Sequence, residues 1–215
     1  YYRGLSYLNR GKTKDARPDF ESAARDFLEA LKWAQTSILY ANLGDARIHL
    51  GRDAEAEADL DEAVRRAPES AEAHFLRGQA RLGQGKVDLA IEDYDAAVRL
   101  DPRHAAAYGD RGLANLRRND PARALEDYER AIAIEPEKAE HFFGRGNARL
   151  ARKEFETAAA DYTRALELKF DYVDAFVNRA AARCSSNLDA AIADLDEALR
   201  LRPKYAGARL NRALY

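Results

Sequence analysis

The chain has 215 residues, 47% hydrophobic and 33% charged, a composition of neither a disordered nor a membrane-embedded chain. Its 35 Lys and Arg against 37 Asp and Glu leave a net charge of −2, which gives no support to a protein that binds nucleic acid by neutralising phosphates. One cysteine, Cys184, excludes an internal disulfide framework and any multi-cysteine zinc site.

From end to end the chain is one pattern copied, and such internal repeats decide a fold. Gly44, Gly78, Gly112 and Gly146 stand 34 residues apart, as do Pro68, Pro102 and Pro136. A longer ladder, Ala23, Ala56, Ala90, Ala124, Ala158 and Ala191, steps by 33 or 34 residues. Seven residues on runs a second: Ala30, Ala63, Ala97, Ala131, Ala165 and Ala198. Four residues after each first alanine comes a large apolar side chain: Phe27, Leu60, Tyr94, Tyr128, Tyr162 and Leu195.

Within a period the spacing is helical. Ala71 to Leu82 reads as one helix stopped by Gly83 and Gly85. Ala90, Ile91, Tyr94, Ala97 and Val98 form the apolar stripe of a second, which ends where Pro102 cannot continue the ladder. Each period is therefore a helix–turn–helix unit, with alanine permitting close approach of the paired helices and the ring filling the gap between neighbouring units. The expectation is thirteen helices, six pairs and a stub at Ala206–Tyr215, with no strand.

These marks resemble the tetratricopeptide repeat, whose 34-residue pattern has an aromatic at position 4, a small residue at 8, Ala at 20, an aromatic at 24, Ala at 27 and Pro at 32. Position 4 here reads Tyr7, Tyr40, His74, Tyr108, Phe142 and Phe176, and position 8 reads Gly11, Gly44, Gly78, Gly112, Gly146 and Ala180. The resemblance divides the chain into repeats 4–36, 37–70, 71–104, 105–138, 139–172 and 173–205, with 206–215 opening a seventh or capping helix. Gln35 and Phe170 replace the proline, and the first and sixth repeats are each a residue short. The resemblance implies an all-α fold, a right-handed superhelix of antiparallel helix pairs whose first helices line a concave groove. Units that cannot bury their own apolar face stack into a single solenoid.

A charged pair recurs inside the pattern. Position 7 is Arg10, Arg77, Arg111, Arg145, Arg179 and Arg212, with Leu43 the exception; position 23 is Asp26, Asp59, Asp93, Asp127, Asp161 and Asp194. A ladder of arginines suits an acidic or phosphorylated ligand. The competing and preferred reading pairs each arginine with an aspartate near the helix interface, since buried charges need partners. Pairing within the repeat and pairing with the preceding one both fit, and Leu43 then leaves Asp59 or Asp26 unpartnered.

By the resemblance, groove residues lie at positions 2, 5, 6, 9 and 13. Asparagine offers donor and acceptor to a peptide backbone, and Asn9, Asn42, Asn147 and Asn178 are candidates. Phe75 and Phe143 are candidate apolar pockets, or else aromatics buried by crowding. Glu72, Asp110, Glu140 and Asp174, against Arg117, make an acidic surround, while Lys12 and Asn42 give a fragment of the family's carboxylate clamp, which is otherwise absent.

No His-Glu-x-x-His, Gly-rich phosphate loop or Gly-x-Ser-x-Gly is present, and His49, His74, His104 and His141 fall at four different repeat positions. The expectation is a non-catalytic interaction module without cofactor or metal. It would bind an apolar peptide segment with basic flanks in its groove, and neither nucleic acid nor membrane. Two alternatives stay open: a regulatory or docking arm of a larger enzyme, and a scaffold that self-associates through exposed end helices. Tyr1-Tyr2-Arg3 opens no signal peptide, no apolar run spans a bilayer and no Met occurs, which points to a fragment or processed chain. A reduced cysteine favours the cytoplasm.

Overall fold

A computed structural model describes residues 2–5 and 17–215. Among the described residues every regular element is helical: α1 (Arg17–Leu31), α2 (Ser37–His49), α3 (Asp53–Arg66), α4 (Ala71–Gly83), α5 (Val87–Leu100), α6 (Ala105–Arg117), α7 (Pro121–Ile134), α8 (Ala139–Ala151), α9 (Phe155–Leu168), α10 (Val173–Arg183), α11 (Leu188–Leu201) and α12 (Ala206–Leu214). Residues 2–5 are helical as well. With them the described helices number thirteen, the number expected for six pairs and a stub.

The turns inside the second to fifth pairs share one chemistry. Gly51, Gly85, Asn119 and Lys153, 34 residues apart, all take a positive φ, between 63° and 77°. In the third repeat Gly85 N–H donates to Leu82 C=O at 3.1 Å and Lys86 N–H to Arg81 C=O at 2.9 Å, a glycine-type helix stop. The fifth repeat makes the same two bonds with Lys153 and Glu154, at 2.9 Å each. The sixth lacks this left-handed residue, and its one-residue deletion falls here: the chain passes from Arg183 to Leu188 through Asn187, whose side chain caps α11 by accepting from Ala190 N–H at 3.0 Å.

The turn between pairs is set by residues before proline. Ala67, Asp101, Glu135 and Arg202 leave the helix with ψ between 78° and 95°, outside the helical region that proline denies its predecessor. Lys169 has the same conformation, ψ 90°, although Phe170 stands in place of the proline, 79% exposed.

The chain divides into two compact units, Tyr1–Ala114 and Asn115–Tyr215, the division falling inside α6. In the first, Phe20, Ala23, Phe27, Leu39, Leu43 and Ala46 pack α1 on α2, and Leu60, Leu76, Ala80, Ala90, Tyr94 and Ala97 join α3, α4 and α5. In the second, Tyr128, Tyr162 and Leu195 are the largest members of successive clusters that run from α7 to α12. Both alanine ladders are fully buried from Ala56 and Ala63 onward, while Ala30 is half-buried. Leu210 and Leu214 of α12 are 62% and 71% exposed, the face on which the expected self-association would rest.

Glycine at position 8 sets the spacing within a pair. A Cβ on Gly78 would lie 2.6 Å from the Tyr94 ring, and one on Gly146 2.6 Å from Tyr162. The position-24 ring thus packs first on its own repeat, and only then on the next, where Tyr128 lies against Gly144. The rings therefore pack within their own repeat as well as reaching the expected gap between units. The first repeat also differs in register. Arg3 donates to Asp26 at 2.6 Å and Gly4 faces Phe27, so these two hold the places that counting assigned to Arg10 and Gly11. Arg10, Gly11, Asn9 and Lys12 lie outside the described residues.

Candidate functional site

The arginine ladder is a packing device. In the third repeat Arg77 Nη2 donates to Asp93 Oδ1 at 2.6 Å and Arg81 Nη1 to Asp93 Oδ2 at 2.9 Å. The fifth repeats it with Arg145 and Arg149 on Asp161 (2.7 and 2.8 Å), and the sixth with Arg179 and Arg183 on Asp194 (2.5 and 3.2 Å). Each of these aspartates is at most 5% exposed. Pairing therefore stays inside the repeat, and two arginines, not one, share each carboxylate. The same position-7 arginine also reaches back one repeat: Arg77 to Asp61 at 2.9 Å, Arg111 to Asp95 at 2.6 Å, Arg179 to the Thr163 hydroxyl at 3.1 Å, and Arg212 to Asp196. Burial works against the charge of Arg77, but Asp93 and Asp61 outweigh it and hold the guanidinium more firmly protonated than usual. Arginines tied this way are not a ladder for an anionic ligand.

Leu43 leaves no aspartate unpartnered. Asp59 is taken by Arg47, the position-11 arginine of its repeat. With only that partner, burial prevails and pushes the Asp59 carboxyl up to about 6. The second arginine was missed in the sequence, though its signal was there: Arg47, Arg81, Arg149 and Arg183 recur in the 34-residue period, with Asn115 in the fourth repeat donating to Asp127 at 2.9 Å.

The candidate groove residues are partly spent on the fold. Phe75 is buried against Tyr94 and His104, with ring centroids 6.1 and 4.6 Å away, so it is no open pocket. At position 6 of the third and fifth repeats, Leu76 joins the core and Gly144 lies under the Tyr128 ring, so neither offers a polar side chain. Asn178 Nδ2 donates to Asn147 Oδ1 at 2.8 Å, and the Tyr162 hydroxyl donates to the same oxygen at 2.8 Å. Gln79 makes the corresponding bond to Asp110, also at 2.8 Å. Positions 9 and 6 of successive repeats are thus cross-linked. Asn42 is half-buried on α2, and Arg117 is exposed at the end of α6.

The position-2 acids are anchored from the end of their own repeat. Glu72 faces His104 Nε2 at 3.3 Å, Glu140 takes Lys169 Nζ at 3.2 Å, and Asp174 accepts from the Tyr205 hydroxyl. The Glu72 bond raises the His104 pKa above its ordinary value despite burial. Glu72 and Glu140 keep 64% and 52% of their side-chain surface in water. In the second unit the rings of Phe143 and Tyr172 lie 4.7 Å apart, and Lys169 stands 4.7 Å over Tyr172. Burial, with the negative charges of Glu140 and Asp174, pushes the Tyr172 hydroxyl up to about 12. Unit two therefore carries a half-buried aromatic pair rimmed by two carboxylates.

The histidines do not converge. His49 stacks on Phe20 at 4.3 Å, His74 sits between Pro68 C=O and Asp93, and His141 faces Glu135 at 3.2 Å. Among the described residues no group of three or more His, Cys, Asp or Glu is placed to hold a metal, and no helix is long and apolar enough to cross a membrane.

A family model described as tetratricopeptide repeat matches residues 1–71, 42–105, 75–135 and 110–170. The chain belongs to the tetratricopeptide repeat family. Among solved structures, YrrB, titled a TPR protein with an unusual peptide-binding site, matches with TM-score 0.71 and 20% identity over 88% of this chain and 99% of that one. TTC0263, a thermophilic TPR protein of Thermus thermophilus, matches with TM-score 0.66 and 25% identity over 83% and 98%. A chain of the APC/C hetero-tetramer Cut9–Hcn1 matches with TM-score 0.81 and 18% identity over 98% of this chain but 41% of that one. No curated protein sequence matches significantly. TPR arrays are general protein–protein interaction modules, and the fold typically serves as a non-catalytic scaffold.

Proposed function

We propose that the first-helix face of each unit docks an extended segment of a partner polypeptide, preferring an apolar core with Lys or Arg flanks. In unit two the contact residues are Glu140, Phe143, Asn147, Asp174 and Asn178; in unit one they are Asn42, Glu72 and Asp110, with Phe75 as a buried support. Arg117, and by sequence Asn9 and Lys12, extend the proposal. The observation that carries it is the Phe143–Tyr172 ring pair, half-buried and rimmed by Glu140 and Asp174: apolar surface to seat a side chain and negative charge to orient a basic one. YrrB is a fold relative titled for a peptide-binding site, which supports the class of ligand without naming one. A peptide array read by fluorescence anisotropy tests it. Apolar peptides with basic flanks should bind tighter than acid-flanked copies, and the advantage should shrink as salt screens the rim charges. Tighter binding of the acid-flanked set would reject this reading.

A further inference from the structure

We propose that Tyr172, Glu140 and Asp174, backed by the Phe143 ring, form a seat for one lysine or arginine side chain of a bound partner, and that Lys169 fills this seat until the partner displaces it. The inference rests on the segment-docking reading and gives one subsite its chemistry.

An organic cation is recognised by an aromatic face, a carboxylate and a support that keeps both in place. All three are present within unit two. Lys169 Nζ lies 4.7 Å from the Tyr172 ring centroid and 3.2 Å from Glu140 Oε1, so the chain itself demonstrates what the seat accepts. Phe143 stands 4.7 Å behind Tyr172 and is in turn packed on Tyr162 at 5.8 Å. Asp174 is fixed by Tyr205, its charge felt at the Tyr172 hydroxyl. Burial alone would favour protonated Glu140, but backbone and Lys169 hydrogen bonds hold its pKa below the usual value, and the seat keeps its charge.

The occupant is loosely held. Lys169 and Glu140 keep 45% and 52% of their side-chain surface in water, and an exposed pair of this kind is weak. The third repeat shows the closed version: its end ring is His104, which itself bonds the position-2 acid Glu72, and Asp101 stands where Lys169 does. A rigid imidazole fills that site, while in the fifth repeat a flexible side chain does.

Isothermal titration of wild type, K169A, K169R and E140Q tests this, using a blocked peptide with a Leu-Phe core flanked by Lys, and a copy with norleucine for Lys. K169A should bind the Lys peptide about threefold tighter than wild type, the scale of one exposed pair. K169R should match wild type, E140Q should bind more weakly, and the norleucine copy should not distinguish the four chains. Wild-type binding that K169A leaves unchanged would overturn the seat and leave the docking reading standing, as would equal tightening for the norleucine copy. Absence of binding by all four chains would overturn both.

Discussion

At the scale of single residues, buried charge rather than apolar contact makes this chain distinctive. Asp161 is 3% exposed and bridges Arg145 and Arg149, so its removal strands two guanidinium groups at once. D161A should cost about 3 kcal/mol in urea unfolding, the low end for a broken buried pair, because both arginines keep about a fifth of their surface in water. The Asp ladder and most of its position-7 partners were legible in the sequence, because a period of 34 residues repeats them. What the period could not show was the sharing. Arg47, Arg81, Arg149 and Arg183 recur just as regularly, but on a helix surface an arginine one turn further on reads as a solvated residue until the carboxylate is placed between the two. For the same reason Asn147 and Asn178 read as free groove amides: a bond across 31 residues depends on how neighbouring repeats are set, which composition and spacing leave open.

At the scale of elements, helices and turns were readable because stop signals are local. Gly83, Gly85 and the prolines act on the backbone beside them. The first repeat was not, since its register depends on which of two Arg-Gly pairs, Arg3-Gly4 or Arg10-Gly11, meets Asp26 and Phe27, and equal spacing favoured the second. The turn between α8 and α9 carries a small residual cost: Lys153 adopts φ 63°, where a Cβ is disfavoured, while Gly51 and Gly85 do the same work without one. K153G should raise stability by about 0.5–1 kcal/mol, the left-handed penalty removed less the extra freedom glycine gains in the unfolded chain, as measured by thermal or urea denaturation. Destabilisation by K153G would mean the Lys153 side chain contributes contacts that outweigh the strain.

At the scale of the whole molecule, the shifted groups that titrate between pH 7 and pH 5 act in opposite senses in the two units. In Tyr1–Ala114, Asp59 is raised to about 6 from 3.8, and His104 is raised above 6.5. A raised group stabilises the fold fully below its unfolded pKa and loses that contribution as pH rises through the folded one. In Asn115–Tyr215, burial lowers His141, with Lys138 adding to it against Glu135; its contribution is present above 6.5 and lost as pH falls through the lowered value. Between pH 7 and pH 5, above the range of ordinary carboxylates, the first unit should gain about 1–2 kcal/mol and the second should lose stability. Hydrogen exchange resolved by peptide, corrected for intrinsic rate, checks this: protection should rise in α3 and α4 and fall in α8 and α9. A parallel response of both units would refute it.

The cross-links between repeats given above are short in repeat number. Arg77 touches Asp93 of its own repeat and Asp61 of the one before; Gln79 and Asn147 each reach one repeat forward. No bond in this set spans two repeat boundaries. A copy of residues 71–104 spliced in after itself would keep one partner at the new seam, Asp95 for Arg77 in place of Asp61, but would set Gln79 against Leu76 rather than Asp110 and Arg81 against Ile91 rather than Glu57. Lengthening the gene by one such unit therefore preserves the arginine–aspartate bond across the seam and calls for compensating changes at only two positions, the sixth and the twenty-first of the duplicated repeat.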